Sequence, residues 1–173
     1  YSFYDVWAEM LRIPYTQIPL DDAFRLNPSD YKCENGGIVF PNPNAPTGEL
    51  LSLEAIEDIL KHNQDVVVIV DEAYIDFGGG SALPLLERYE NLLVVQTFSK
   101  SRSMAGMRIG YALGSADLIR ALSDVKYSFN SYTMNATAIA LGTAAIQDRA
   151  YFEETRAKII ATRERTKQRM REL

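Results

Sequence analysis

The sequence predicts an α/β fold: a three-layer α/β/α arrangement around a mostly parallel sheet. Three observations predict it. Short aliphatic runs recur at 38–40, 66–70, 92–97 and 108–113, and a run without polar alternation marks a strand buried on both faces. Segments with apolar residues at helical spacing lie between and after these runs. Residues with chemical capability follow directly on the runs, where ligands sit in sheets of this kind.

Taken in order, Phe3, Val6, Trp7 and Met10 mark one face of a short helix over 3–12, followed by an extended stretch to Leu20. Gly36-Gly37 opens a strand at Ile38–Phe40, and Pro41 closes it before a turn-rich segment. Ser52 is a good N-cap for a helix carrying Leu53, Ile56, Ile59 and Leu60 and running to about Asn63. Val66–Val70 is five consecutive β-branched residues. Leu92–Thr97 is a second buried strand, and Arg108–Leu113 a shorter one interrupted by Gly110. Helices are expected over 116–126, 134–146 and 150–173.

A chain of 173 residues with 47% hydrophobic and 24% charged residues describes one globular domain piece and excludes disordered, collagenous and disulfide-scaffold classes. The single cysteine, Cys33, closes no intramolecular disulfide, so a reducing, cytoplasmic setting is expected. The single histidine, His62, removes most metal and Ser-His-Asp readings, and no metal is expected. A net charge of −5 argues against nucleic-acid partners. Residues 151–173 hold seven Lys/Arg against four Asp/Glu, but at helical spacing, which reads as a solvated face. No apolar run reaches the roughly 18–20 residues of a membrane span, so no membrane partner is expected. The chain starts at Tyr1 and stops inside a helical pattern, and is expected to be a piece of a longer protein.

Three loops carry candidate chemistry. Asp71 and Glu72 end an apolar strand, either emerging into solvent or capping the next segment, or holding a cationic ring nitrogen or a metal. Tyr74 follows within reach of the same ligand. Lys100 ends the next strand loop, as a surface lysine or as an amine desolvated enough to form an imine. Thr97, Ser99 and Arg108 flank it with the hydroxyls and guanidinium that bind phosphate. Asn42–Gly48 is either a tight turn or a rigid loop presenting an amide. Phosphate ligands around an imine-forming lysine, with an acid for a ring nitrogen on the preceding strand, match what pyridoxal phosphate requires.

Asn44-Ala45-Pro46-Thr47-Gly48, Asp71-Glu72-Ala73-Tyr74-Ile75-Asp76-Phe77 and Thr97-Phe98-Ser99-Lys100 followed by Ala105–Gly110 resemble, in order and spacing, the fold-type I pyridoxal-phosphate aminotransferases of class I/II, and most their histidinol-phosphate branch. The resemblance runs over essentially the whole chain. It implies that 1–150 is part of a cofactor-binding large domain and 151–173 a helix leading toward a small domain outside the sequence. It implies pyridoxal 5'-phosphate as cofactor, an amino donor with 2-oxoglutarate as the 2-oxo acid, and a homodimer. Lys100 would carry the cofactor and shuttle protons, and Asp71 would pair with the ring nitrogen. Tyr74 would bond the ring oxygen, Thr97, Ser99 and Arg108 would hold the phosphate, and Tyr1 would stack on the ring. Ala45 stands where the family usually has Asn, leaving the ring-oxygen amide lost or supplied by Asn44. Rival readings are a threonine-phosphate-decarboxylase-like enzyme, another class I/II aminotransferase, or the non-catalytic cofactor-binding domain of a regulator. Gly78-Gly79-Gly80 reads as a mobile turn, and Tyr127, Phe129 and Tyr132 as either core packing or a substrate-entrance and dimer cluster.

Overall fold

The structure, a computed structural model, describes residues 1–173. Four strands form one sheet in the order β1 (Ile38–Pro41), β2 (Val68–Asp71), β3 (Leu92–Thr97), β4 (Gly110–Gly114). The first three run parallel and β4 is antiparallel to β3. The helices are α1 (Phe3–Met10), α2 (Leu53–His62), α3 (Ala116–Phe129), α4 (Ala136–Gln147) and α5 (Arg149–Arg171). The α/β class and the mostly parallel sheet are as the sequence predicts. No helix is long and apolar enough to cross a membrane.

The connections explain the strand directions. The 12-residue stretch from Phe98 to Ile109 turns back on itself, with Phe98 N–H donating to Ile109 O at 3.0 Å. With the two ends of the loop hydrogen-bonded to each other and no helix between them, β4 returns antiparallel. Between β1 and β2 that crossover is α2, capped by the Ser52 hydroxyl, which accepts from Ala55 N–H at 3.2 Å. β2 starts at Val68 rather than Val66, because Val66 N–H is tied into the helix-exit turn on Asn63 O.

The core lies on one face. Ile38, Phe40, Val68, Val70, Leu92 and Val94 alternate along the strands toward Ile56, Ile59 and Leu60 of α2, and Ala82 and Leu85 seal the edge. The opposite face departs from the expectation of cover on both sides. There Leu93 is buried, but Val39 is 40% exposed and Ile69 and Val95 are only half-buried. The apolar stripe of α1 is exposed as well, and no residue of α1 is fully buried. A smaller cluster of Phe98, Ile109 and Ala138 holds α4. Gly142 permits that approach, since a Cβ there would lie 2.8 Å from Ile109 Cδ1. Helix α5 buries nothing, and is tied down by Arg102 stacking 4.1 Å from the Phe152 ring centroid and by Arg163, which donates to Phe77 O at 2.8 Å.

Candidate active site

Strand alternation puts Asp71, Val95 and Thr97 on the open face, at the carboxyl ends of adjacent strands β2 and β3. Asp71 is half-buried, and both of its carboxylate oxygens are engaged. Oδ1 accepts from Ala73 N–H at 3.0 Å, and Oδ2 accepts from the Tyr4 hydroxyl at 2.7 Å. The Tyr4 phenol is held well above its ordinary pKa, first by burial and then by its bond to Asp71, so it remains a donor. Tyr1 stands edge-on to Tyr4 with ring centroids 5.5 Å apart, at the rim of the same site.

Lys100 projects from the loop after β3, its amine 5.0 Å from the Tyr74 ring centroid, a cation–π contact. Of the two settings the sequence leaves open for this lysine, the surface one is found: Lys100 is exposed, because it lies beyond the strand, in the loop. Thr97 and Ser99 place their hydroxyls 3.0 Å apart, and Thr97 Oγ1 also accepts from Ser99 N–H at 3.1 Å. Arg108 closes the loop in the left-handed region at φ 56°, a conformation in which side chains other than glycine are uncommon. Its guanidinium donates to Ala105 O at 2.9 Å and makes no ion pair.

Asn44 is directed into its own turn, donating to Thr47 Oγ1 at 2.7 Å. Asn42, buried beside it, exchanges two hydrogen bonds with the Leu51 backbone. Both X-Pro bonds of this loop, Asn42-Pro43 and Ala45-Pro46, are cis.

Two features of the site lie outside the sequence reading. Tyr4 is the first; its only signal is a second tyrosine one helical turn after Tyr1. The second is a hydrogen bond from the buried Ser101 hydroxyl to Asp76, which fastens the lysine loop to the segment after β2. Glu72 takes the capping alternative rather than reaching solvent, accepting from Ser81 Oγ at 2.7 Å, Ala82 N–H at 2.6 Å and Gln96 Nε2 at 2.8 Å. Tyr127, Phe129 and Tyr132 are exposed, which removes the core-packing reading for them.

The profile of the aminotransferase class I and II family matches residues 1–173, the whole chain. The chain belongs to that family. It is 58% identical over 167 residues to the histidinol-phosphate aminotransferase of Lactococcus lactis subsp. cremoris strain SK11, covering 96% of this chain and 47% of that protein. The chain spans about half the length of the curated relatives it matches. Among solved structures, the histidinol-phosphate aminotransferase from Clostridium acetobutylicum superposes with a TM-score of 0.91 at 24% identity, over 99% of this chain and 53% of that one. The enzyme of the same name from Sinorhizobium meliloti, in complex with pyridoxal-5'-phosphate, superposes with a TM-score of 0.84 at 24% identity, over 96% and 47%. At these identities the two structures share the fold.

Proposed function

We propose that this chain forms the cofactor-holding part of a pyridoxal-phosphate-dependent aminotransferase acting on histidinol phosphate and 2-oxoglutarate. One observation carries the reading: an acid, Asp71, and a hydroxyl-and-guanidinium loop, Thr97–Arg108, open on the same sheet face at the carboxyl ends of adjacent strands. The donor set fits the cofactor. A carboxylate suits a protonated pyridine nitrogen, and two hydroxyls with an arginine free of carboxylates suit a phosphate. The 58% identity to the Lactococcus enzyme supports the choice of substrate.

Bound there, pyridoxal phosphate supplies an aldehyde that joins amino groups and a ring that accepts the electrons of a broken C–H bond. The chain's own residues do the rest. Asp71 would hold the proton on the ring nitrogen, and Tyr74 would donate to the ring oxygen. Thr97, Ser99 and Arg108 would anchor the phosphate, while Tyr1 would cover one face of the ring. The Lys100 amine would move the proton between the substrate Cα and the cofactor C4′. Asn44 would reach the ring oxygen only by releasing Thr47. We place residues 1–150 in the cofactor domain, with 151–173 leading to a separate small domain, and the whole protein as a cytoplasmic homodimer.

Borohydride reduction after incubation with pyridoxal phosphate, followed by peptide mass spectrometry, is expected to place one phosphopyridoxyl group on Lys100 and none on a Lys100→Ala variant. Labelling scattered over other lysines overturns the reading. Turnover of threonine phosphate with release of CO2, in place of histidinol phosphate transamination, would overturn the substrate assignment alone.

A further inference from the structure

We propose that Tyr4 is a positioning residue for Asp71, fixing the plane of its carboxylate so that it selects a cofactor with a protonated ring nitrogen. The inference rests on the cofactor reading above and names a residue that reading does not use. The terminal torsion of an aspartate is broad and roughly two-fold, so one hydrogen bond leaves the carboxylate free to swing. Here the two oxygens are held by donors from different parts of the chain. Ala73 N–H, two residues along, takes Oδ1 at 3.0 Å; the Tyr4 hydroxyl, 67 residues away, takes Oδ2 at 2.7 Å. With both held, the remaining lone pairs point in one fixed direction.

The donor is itself braced. Tyr4 packs edge-on to Tyr1 at 5.5 Å and against Trp7 at 6.1 Å. No side chain of helix α1 is fully buried and Tyr4 is half-buried, so the bond to Asp71 is a specific tie between this helix and the sheet. Partial burial and the neighbouring carboxylate keep the proton on the phenol. The hydroxyl therefore stays a donor to Oδ2 and leaves the acid's other acceptor sites to the ligand.

The test compares two probes on the full-length protein by equilibrium binding: pyridoxal phosphate and its analogue with C–H in place of the ring nitrogen. The wild type is expected to prefer the natural cofactor, and Asp71→Ala to abolish that preference. Tyr4→Phe is expected to weaken pyridoxal phosphate roughly tenfold, the loss of one hydrogen bond to a charged group, and to leave the analogue unchanged. Equal weakening of both probes, or no weakening of either, overturns the proposal, since a residue that merely packs has no way to sense the ring nitrogen. If Tyr4→Phe does not fold, Tyr4→His, which keeps an N–H donor on an aromatic ring, carries the comparison. Its preference is expected to stay within about threefold of the wild type, and a preference as low as that of Asp71→Ala overturns the proposal. A wild type that binds neither probe sinks the cofactor reading itself, an outcome distinct from both.

Discussion

On one face of the sheet, Ile38, Phe40, Val68, Val70, Leu92 and Val94 lie sealed beneath α2. On the other, Val39 is 40% exposed while Asp71 and Thr97 present polar groups beside the half-buried Ile69 and Val95. The same three strands make both faces, so the comparison isolates what each contributes. The closed face supplies apolar burial, which sets where the strands lie. Apart from the buried Leu93, the open face leaves its side chains accessible, and they inherit their spacing from the strands beneath them. Glu72 links the two: one residue past Asp71, it lies 1% exposed on the closed side and ties Ser81, Ala82 and Gln96 together.

The largest effect belongs at the centre of the closed face. Leu60 is fully buried against the strands. Leu60→Ala is expected to cost about 2–5 kcal/mol of unfolding free energy by urea denaturation, the range for a truncated core aliphatic. A cost under 1 kcal/mol would break the comparison, because the closed face would then not be where stability resides.

Next comes the link. Glu72→Gln replaces one carboxylate oxygen with a donor in a cluster where Ser81 Oγ, Ala82 N–H and Gln96 Nε2 all donate inward. One buried donor then loses its acceptor, at an expected cost of about 1–3 kcal/mol. Cofactor binding should fall with it, since Gln96 is one residue from Thr97. Lost stability with intact binding would show that the faces are independent.

How far each face was legible in the sequence follows the same division. Val66–Val70 and the Ser52-capped helix announced the closed face, because burial selects residue type and period along a continuous segment. The loops after β2 and β3 were legible too, since Asp71, Lys100 and Arg108 lie in short motifs. The open side is less legible where it depends on what packs against it. Phe3, Val6 and Trp7 show a helix's apolar stripe, yet a stripe carries no information about whether a partner covers it, and here nothing in the chain does. The sequence leaves Lys100 either on the surface or desolvated, because a position after a buried strand does not say where burial ends; here it ends with the strand. Tyr4 was missed because its partner, Asp71, lies 67 residues away, and a single sequence records no such pairing.

A smaller effect lies at the outer edge of α2. Glu57 accepts from Tyr89 and Arg88 and pairs with Lys61. The Tyr89 hydrogen bond, then Lys61 and Arg88, pull its carboxyl from an ordinary 4.5 to about 2. A folded-state pKa below the unfolded one means that the contribution is fully present above pH 4.5 and is lost as pH falls toward 2. Glu57→Gln is therefore expected to flatten the acid limb of stability in that window and leave the alkaline limb alone. An unchanged acid limb would show that the group is too solvated to matter.

The smallest effect is the sharpest test of the open face. Val39 alternates with Ile38 and Phe40 on the same strand, and its two outer methyl groups point away from α2. Val39→Ala in the 173-residue chain removes little buried area and is expected to change stability by no more than about 0.5 kcal/mol, as for a surface substitution. The same substitution in the full-length protein asks a separate question, because relatives extend to about twice this length. If the cost there rises toward that of Leu60→Ala, further chain or a second copy covers the face and the two sides differ only within this segment. If it stays small, the openness belongs to the protein, and Asp71 and Thr97 work on a face whose rigidity comes from the residues on its other side.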